Sequence, residues 1–464
     1  MIRRTAGEVA TLSGGRLIQG ASDQQVVGVA TDTRKDMTGN LFVPIVGERF
    51  DGHDFIAQAQ KQGAVAALWQ TGRPRPQTEM ALIEVDDTLQ GLQRLAQGYR
   101  EQLNVTVVGV TGSNGKTSTK DMITSVLSER FKVQKTLGNL NNHIGLPLML
   151  LALEEDTEVA VLEMGMNHAG EIERLARFAH PSLGVITNIG EAHIEFLGSR
   201  SGIADAKCEL IEQLPADGKA ILFGDEPLLR ERADKTQAEV LWFGLQEGND
   251  VRAVSAENLG LLGSRFSLPG DETVYTLPVM GQHQLTNALA AIAVGLELGL
   301  TRKEIRDGLG KVKLTARRLE VKKARVGGMI IDDSYNASPT SMKAALKVLA
   351  EVPGDLRVAV LGGMLELGAD TARMHEEIGA FVARTGIERL VCIGELARLI
   401  ADGAVANGFS QAHLFVTDDK EQASHHVEAL LQEATQTGAD SATVLVKASL
   451  GIGLDVVVKQ LIGR

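Results

Sequence analysis

The chain has 464 residues, of which 44% are hydrophobic and 23% charged, with a formal net charge of −12. That balance argues against extensive disorder, and its acidity argues against nucleic acid as a partner, because phosphate backbones are held by basic surfaces. Length alone predicts about three domains of roughly 150 residues each. The two cysteines, Cys208 and Cys392, are too few for a disulfide framework and too far apart for a CxxC site, which points to a reducing cytoplasm. The start "MIRRTAGEVA" is basic but is not followed by the apolar core of a signal peptide, and no run approaches the ~20 apolar residues of a membrane span.

In chain order, residues 1–82 read as a small α/β N-terminal domain. "VVGVATDTR", "GNLFVPIVG" and "AVAALW" are its strands, with "HDFIAQAQKQG" a helix between the last two. Residues 83–314 form a central unit in which "NVTVVGVTG", "EVAVLEMG", "LGVITNIG" and "KAILFG" read as buried strands ending in small or polar residues. Helices between such runs imply a mainly parallel sheet. Ligands of these sheets bind beyond the carboxyl ends of the strands, so the residues after each run are the candidates for chemistry. The helical stretch "HQLTNALAAIAVGLELG" leads to the basic junction "KVKLTARRLEV". Residues 315–464 then resume the alternation, with "GMIIDDSYN", "RVAVLGGM", "RLVCIG", "HLFVT" and "TVLVKAS" as strands of a separate, Rossmann-like doubly wound domain. The fold class expected is α/β in three domains.

"VVGVTGSNGKTSTKDMI" at 107–123 departs from the usual G-x-x-x-x-G-K-[ST]: Val110 holds the first glycine position, with glycines at 109 and 112. The context still fits, because Ile123, Val126, Leu127 and Phe131 make one helical stripe after the strand. Thr111, Gly112, Ser113, Asn114, Gly115, Lys116, Thr117 and Ser118 would wrap the phosphates of a nucleotide. Backbone N–H groups and the positive helix end hold the oxygens, Lys116 neutralises the terminal phosphates and the Thr117 hydroxyl ligates Mg²⁺. Glu163 closes its strand where a Walker-B acid would share that metal, although a carboxylate there is as often a solvated loop charge. His193 follows another strand end, where a hydrogen-bonded structural histidine is the commoner outcome. Lys207 lies on the amphipathic helix "SGIADAKCELIEQL" and reads first as an exposed lysine with i,i+4 partners. Buried and neutral, the same amine could add carbon dioxide and become an oxygen-donor carbamate suited to a second Mg²⁺.

The set "TGSNGKTSTK", "TLGNLNNHIGLP", "LEMGMNHAGEI", "TNIGEAHIEFLGS" and "DDSYNASPTSM", with "TDTRK", "GNLFVPIVGERFDGHDFI", "GQHQLTNALAA" and "MLELG", resembles the ATP-dependent Mur ligases across all three expected domains. In that family the loop pattern is TG-x-x-GK[ST], which accommodates Val110. The resemblance implies an amide-forming, cytoplasmic, monomeric enzyme of peptidoglycan synthesis. UDP-N-acetylmuramoyl-tripeptide and D-alanyl-D-alanine are the implied substrates, and ATP and two Mg²⁺ are consumed or bound. It further implies that Thr117 and Glu163 hold one Mg²⁺, and that Glu163, His193 and a carbamylated Lys207 hold the other. Asn287 would contact adenine with His283 beside it, Arg318 would reach the ATP phosphates and Asp333 the ribose. Lys116, His193, Lys207 and Arg318 are thus the implied catalytic set.

For the substrates, the resemblance places the uridine diphosphate end near Thr33, Arg34, Asp51, Gly52 and His53, and the peptide near Asn139, Asn142, Asn336 and Ser338. The last four are equally well read as turn formers. "VLVKASLGIGLD" departs from the family's K-G-S-R: Ala448 and Leu450 replace a glycine and an arginine, so Leu450 is expected to pack while Lys447 can still approach substrate. Rival readings are a folylpolyglutamate synthase, which lacks a uridine-binding first domain, and the sister ligase with a D-N-P-R segment, absent here. A nucleotide-driven switch, which would hydrolyse ATP without a second amine, and a degenerate ligase also stand.

Overall fold

The structure is a computed structural model and describes residues 1–436 and 442–463; positions 437–441 and 464 of the expected third domain lie outside the described residues. Three domains are built on three main sheets. The central sheet has seven parallel strands in the spatial order Val251–Arg252, Glu239–Gly244, Lys219–Phe223, Leu183–Ile186, Thr106–Thr111, Val159–Glu163 and Val133–Lys135. The four strands expected from apolar runs are its middle. Their runs are continuous because both faces are covered: Val107 and Leu162 enter one core, Val108 and Val161 the other. From Thr106–Thr111 the sheet grows first one way and then the other, so the phosphate loop leaves the sheet at its topological switch point. The register sets Glu163 beside Val110 and Ile186 beside Thr111, so the segments that follow all emerge at one edge.

Helix Lys116–Leu127 ends at Ser128, short of the stripe's last member Phe131, but Ile123, Val126 and Leu127 are fully buried as the stripe requires. They pack with helix Gln282–Glu297 in one core. After this sheet comes a feature the sequence reading lacks, a three-stranded antiparallel piece of Val254–Asn258, Ser264–Ser267 and Tyr275–Leu277. Its first strand has only intermediate or exposed residues, so no apolar run announces it.

The first sheet runs Arg16–Gln19, Ala81–Val85, Ala66–Gln70, Leu41–Phe42 and Val29–Ala30. "VVGVATDTR" is broken by Gly28 into two short strands, and "GNLFVPIVG" keeps only Leu41–Phe42. Strand Ala81–Val85 runs through the expected boundary at 82 and pairs within this first sheet. The third sheet orders Glu320–Lys323, Met329–Asp332, Ala442–Lys447, Leu356–Gly362, Arg389–Ile393 and Leu414–Thr417, with only the first strand antiparallel to its neighbour. Among the described residues no helix is long and apolar enough to cross a membrane.

Candidate active site

Val110 is a fully buried strand residue, which explains why the loop lacks its usual first glycine: the turn begins only at Gly112. Gly112 has φ 150°, and a side chain there would collide with the Thr187 hydroxyl; Gly115 has φ 80°, and a Cβ would lie 2.6 Å from Asn287 Oδ1. Asn188 braces the turn, its carbonyl accepting from Ser113 N–H at 3.1 Å and its Oδ1 from Asn114 N–H at 2.9 Å. No side chain caps the first turn of helix Lys116–Leu127, so its N–H groups remain for an anion. Lys116 Nζ donates to the Gly112 carbonyl at 2.8 Å.

Beyond the loop, Glu163 is 4% exposed and accepts at one oxygen from the Thr117 hydroxyl (2.9 Å) and at the other from Asn141 Nδ2 (3.0 Å). A buried lysine, Lys120, stands 4.0 Å from the same carboxylate and donates to the Thr136 carbonyl at 3.0 Å. Arg318 comes from the junction, its Nη2 3.4 Å from Thr117 Oγ1 and its guanidinium 4.2 Å from the Tyr335 ring centre. Burial pulls the Lys116 ammonium below the ordinary lysine range, with Arg318 adding to and Glu163 opposing the effect. Ser113 Oγ, Asn114 Nδ2 and Arg318 Nε are buried with no partner among the described residues. Crowded cations and orphaned donors are what a polyphosphate would satisfy.

Lys207 is 1% exposed, which removes the reading of a solvated helix lysine. Desolvation, with Lys116 adding to it, holds its amine well below the ordinary lysine value. His193 adopts φ 67° at the start of a short helix, and its Nδ1 lies 2.6 Å from Glu366 Oε2 of the third domain, an ion-pair contact too bent for a good hydrogen bond. Among the described residues no group of three histidine, cysteine or acidic side chains makes a ready metal cage. Thr117 and Glu163 nevertheless present adjacent hard oxygens, the donors that Mg²⁺ takes alongside phosphate oxygens.

Two cavities meet here. One is lined by the phosphate loop together with His283, Asn287, Asp333 and Lys447. Asn287 Nδ2 donates to Gln284 Oε1 at 2.9 Å, and burial pushes the His283 ring down to about 4, with Asp333 opposing. Asp333 is not free: Lys447 Nζ donates to it at 2.5 Å and to the Asn336 carbonyl at 2.9 Å. Lys447 also lines this cavity, so the ammonium that holds Asp333 stands at the wall of the site. The second cavity is lined by Asn139, Asn141, Asn142, Glu163, His193 and Glu366 among others. Lys116 and Arg318 line both.

Of the four expected peptide contacts, Asn139 is exposed at the cavity edge, while Asn142 Oδ1 accepts the Ile144 and Gly145 N–H groups at 3.2 and 2.8 Å, where the next helix begins. Asn141, between them, makes the inward contact that sequence reading missed; three asparagines in one turn offered no means of choosing. Asn336 Oδ1 accepts the Ala337 N–H, and Ser338 caps helix Pro339–Glu351 while its hydroxyl donates to Asn114 Oδ1 at 2.9 Å, tying the third domain to the phosphate loop. Leu450, expected to pack, is 45% exposed and lines the second cavity. In the first domain Asp51 bridges His53 Nδ1 and Arg73, both at 2.7 Å, Gly52 is pressed against Ile45, and Arg34 is exposed beside Thr33 and paired with Asp32.

Residues 25–100 match the Mur ligase family catalytic domain, 110–295 the Mur ligase middle domain and 317–450 the Mur ligase glutamate ligase domain. The chain is 45% identical to UDP-N-acetylmuramoyl-tripeptide–D-alanyl-D-alanine ligase of Bacillus subtilis, over 100% of this chain and 99% of that protein. The crystal structure of MurF from Acinetobacter baumannii superposes with a TM-score of 0.90 at 32% identity over 100% of both chains. MurF ligase from Thermotoga maritima in complex with ADP superposes with a TM-score of 0.80 at 29% identity, over 94% of this chain and 97% of that one.

Proposed function

The chain belongs to the Mur ligase family and is an ATP-dependent amide-bond-forming ligase, and from that premise we propose how its residues divide the reaction. It joins D-alanyl-D-alanine to UDP-N-acetylmuramoyl-tripeptide, the step that completes the pentapeptide precursor of peptidoglycan. The observation that carries the assignment of roles is the shared wall: Lys116 and Arg318 line both cavities, so a nucleotide in the first would present its γ-phosphate to a carboxylate in the second.

The terminal carboxylate of the tripeptide attacks that phosphorus, ADP leaves, and the resulting acyl phosphate is opened by the amine of the dipeptide with loss of phosphate. Two anions meet in the first step, and Lys116 and Arg318 lower its barrier by holding the charge that passes between them. Mg²⁺ at Thr117 and Glu163, and a second ion toward His193 and a carbamylated Lys207, would supply further charge neutralisation. Lys207 suits that modification because it is buried with no carboxylate partner among the described residues and its amine is easily neutral. Asn287 and His283 take the adenine side. Asp333, already oriented by Lys447, offers its carboxylate to the ribose. The first domain, through Asp51, His53 and the Arg34 loop, takes the uridine diphosphate end. Ser338 on Asn114, and Thr340 Oγ1 on Glu191 at 2.7 Å, hold the third domain over the loop, which keeps water from the acyl phosphate. We place the enzyme in the cytoplasm as a monomer, in keeping with two buried, unpaired cysteines.

The test is phosphate release with ATP, Mg²⁺ and UDP-N-acetylmuramoyl-tripeptide, adding D-alanyl-D-alanine, a single amino acid or nothing, with product mass read in each mixture. Pentapeptide formed only with the dipeptide supports this division of roles. Phosphate released regardless of acceptor, with no ligated product, would leave an ATPase and reject the ligation.

A further inference from the structure

The junction between the second and third domains is strapped along one face of the phosphate-loop helix. Asp121 stands one turn after Thr117 on helix Lys116–Leu127, so the two side chains leave the same face. Arg318 reaches Thr117, its Nη2 3.4 Å from the hydroxyl. Three residues earlier in the junction, Thr315 donates to Asp121 Oδ2 from its backbone N–H at 2.7 Å and its hydroxyl at 2.8 Å. The strap thus crosses the helix at two points, four residues apart on the helix and three apart on the junction.

Asp121 is built to be immobile. Its side chain is 0% exposed, its other oxygen accepts from Lys135 Nζ at 2.6 Å, and Lys120 Nζ stands 3.7 Å away. The junction, by contrast, needs holding: Arg317 has φ 66° and Leu319 φ 51°, left-handed conformations on both sides of Arg318 that a side chain keeps only where its surroundings over-determine them. Downstream, Leu319 N–H donates to Asp333 Oδ1 at 3.2 Å and Arg317 N–H to Glu320 at 2.9 Å. Upstream, the anchor is Asp121, which lines neither cavity.

We propose that Asp121 is a positioning residue that acts through Thr315 to set Arg318 against the nucleotide phosphates, a role that rests on Arg318 acting there. The test is steady-state phosphate release and ligated product for Asp121→Ala, Thr315→Val, Arg318→Lys and the doubles Asp121→Ala/Arg318→Lys and Thr315→Val/Arg318→Lys, with melting temperatures. Misplacing a charge-holding group by about 1 Å costs on the order of 10²-fold, so Asp121→Ala is expected to lower kcat by about 10- to 100-fold while KM for the tripeptide substrate stays within about twofold. Thr315→Val, which loses only the hydroxyl bond, lowers kcat about threefold or more in the same pattern, and carries the test should Asp121→Ala fail to fold. In the Arg318→Lys background each adds less than about twofold, because the group they position is already impaired. Losses that multiply in the doubles, or a kcat unchanged in both singles, overturn the proposal. Wild-type turnover by Arg318→Lys would instead overturn the phosphate role of Arg318 itself.

Discussion

Replacing Lys207 tests both the energetics of a buried amine and its part in the reaction. The side chain is 1% exposed and no hydrogen bond or ion pair reaches it among the described residues. An unpartnered polar group in such a place costs about 1–3 kcal/mol on the scale of protein mutations. Lys207→Met keeps the volume and drops the amine, so in carbon-dioxide-free buffer it is expected to stabilise the central domain by about that amount, or roughly 2–4 °C in Tm per kcal/mol. The pH dependence follows from the sign of the shift. The folded amine titrates below the ordinary lysine value, so the unfolded chain holds the extra proton and the penalty is complete below the folded pKa. It fades as pH rises toward the ordinary value, and the advantage of Lys207→Met should fade with it. Turnover should move the other way, falling on the order of 10²-fold or more with loss of a charge-stabilising group. Lys207→Ala leaves room that formate or acetate can enter, restoring part of the rate. The assay is differential scanning fluorimetry from pH 6 to 9 beside coupled ATP turnover, with and without bicarbonate and added carboxylate. A lower Tm for Lys207→Met without carbon dioxide refutes the burial reasoning. Turnover retained within severalfold, or absent rescue, removes the carbamate.

Lys116→Ala deletes a cation from the wall of both cavities and should cost about 10³-fold or more in kcat; phosphate release near that of the unsubstituted enzyme would sink the phosphate-loop assignment. His283, pushed down to about 4 by burial, is expected to lower stability as pH falls below the ordinary histidine value near 6.5, with the full penalty below about 4. His283→Gln should therefore flatten the acid limb of Tm against pH between those values, and an unchanged slope would contradict the desolvation of that half-buried ring.

Where the fold was legible, the signals were local and one-sided. The strands at 106–111 and 159–163 could be read because a parallel sheet covered on both faces demands unbroken apolar runs. The antiparallel piece at 254–277 could not, because its first strand is polar and open. The strand expected over "GNLFVPIVG" was found but overread, since only Leu41–Phe42 pairs and two residues carry no period to mark its ends. In the site, Lys116, Thr117 and Glu163 were legible as residues that follow strand ends. The choice among Asn139, Asn141 and Asn142 was not, because equal side chains in one turn differ only in direction.

The sequence alone determined the chemistry on offer: a lysine, a hydroxyl and a carboxylate at the ends of neighbouring strands, and an arginine in the junction to the third domain. Local backbone geometry sets those, and residue order encodes it. The tertiary structure alone decided what each group is paired with. Lys447 meets Asp333 across 114 residues, Thr315 meets Asp121 across 194, and His193 meets Glu366 from another domain. Such contacts depend on how sheets and domains pack, and a side chain's partner is fixed only when burial leaves it no water to turn to.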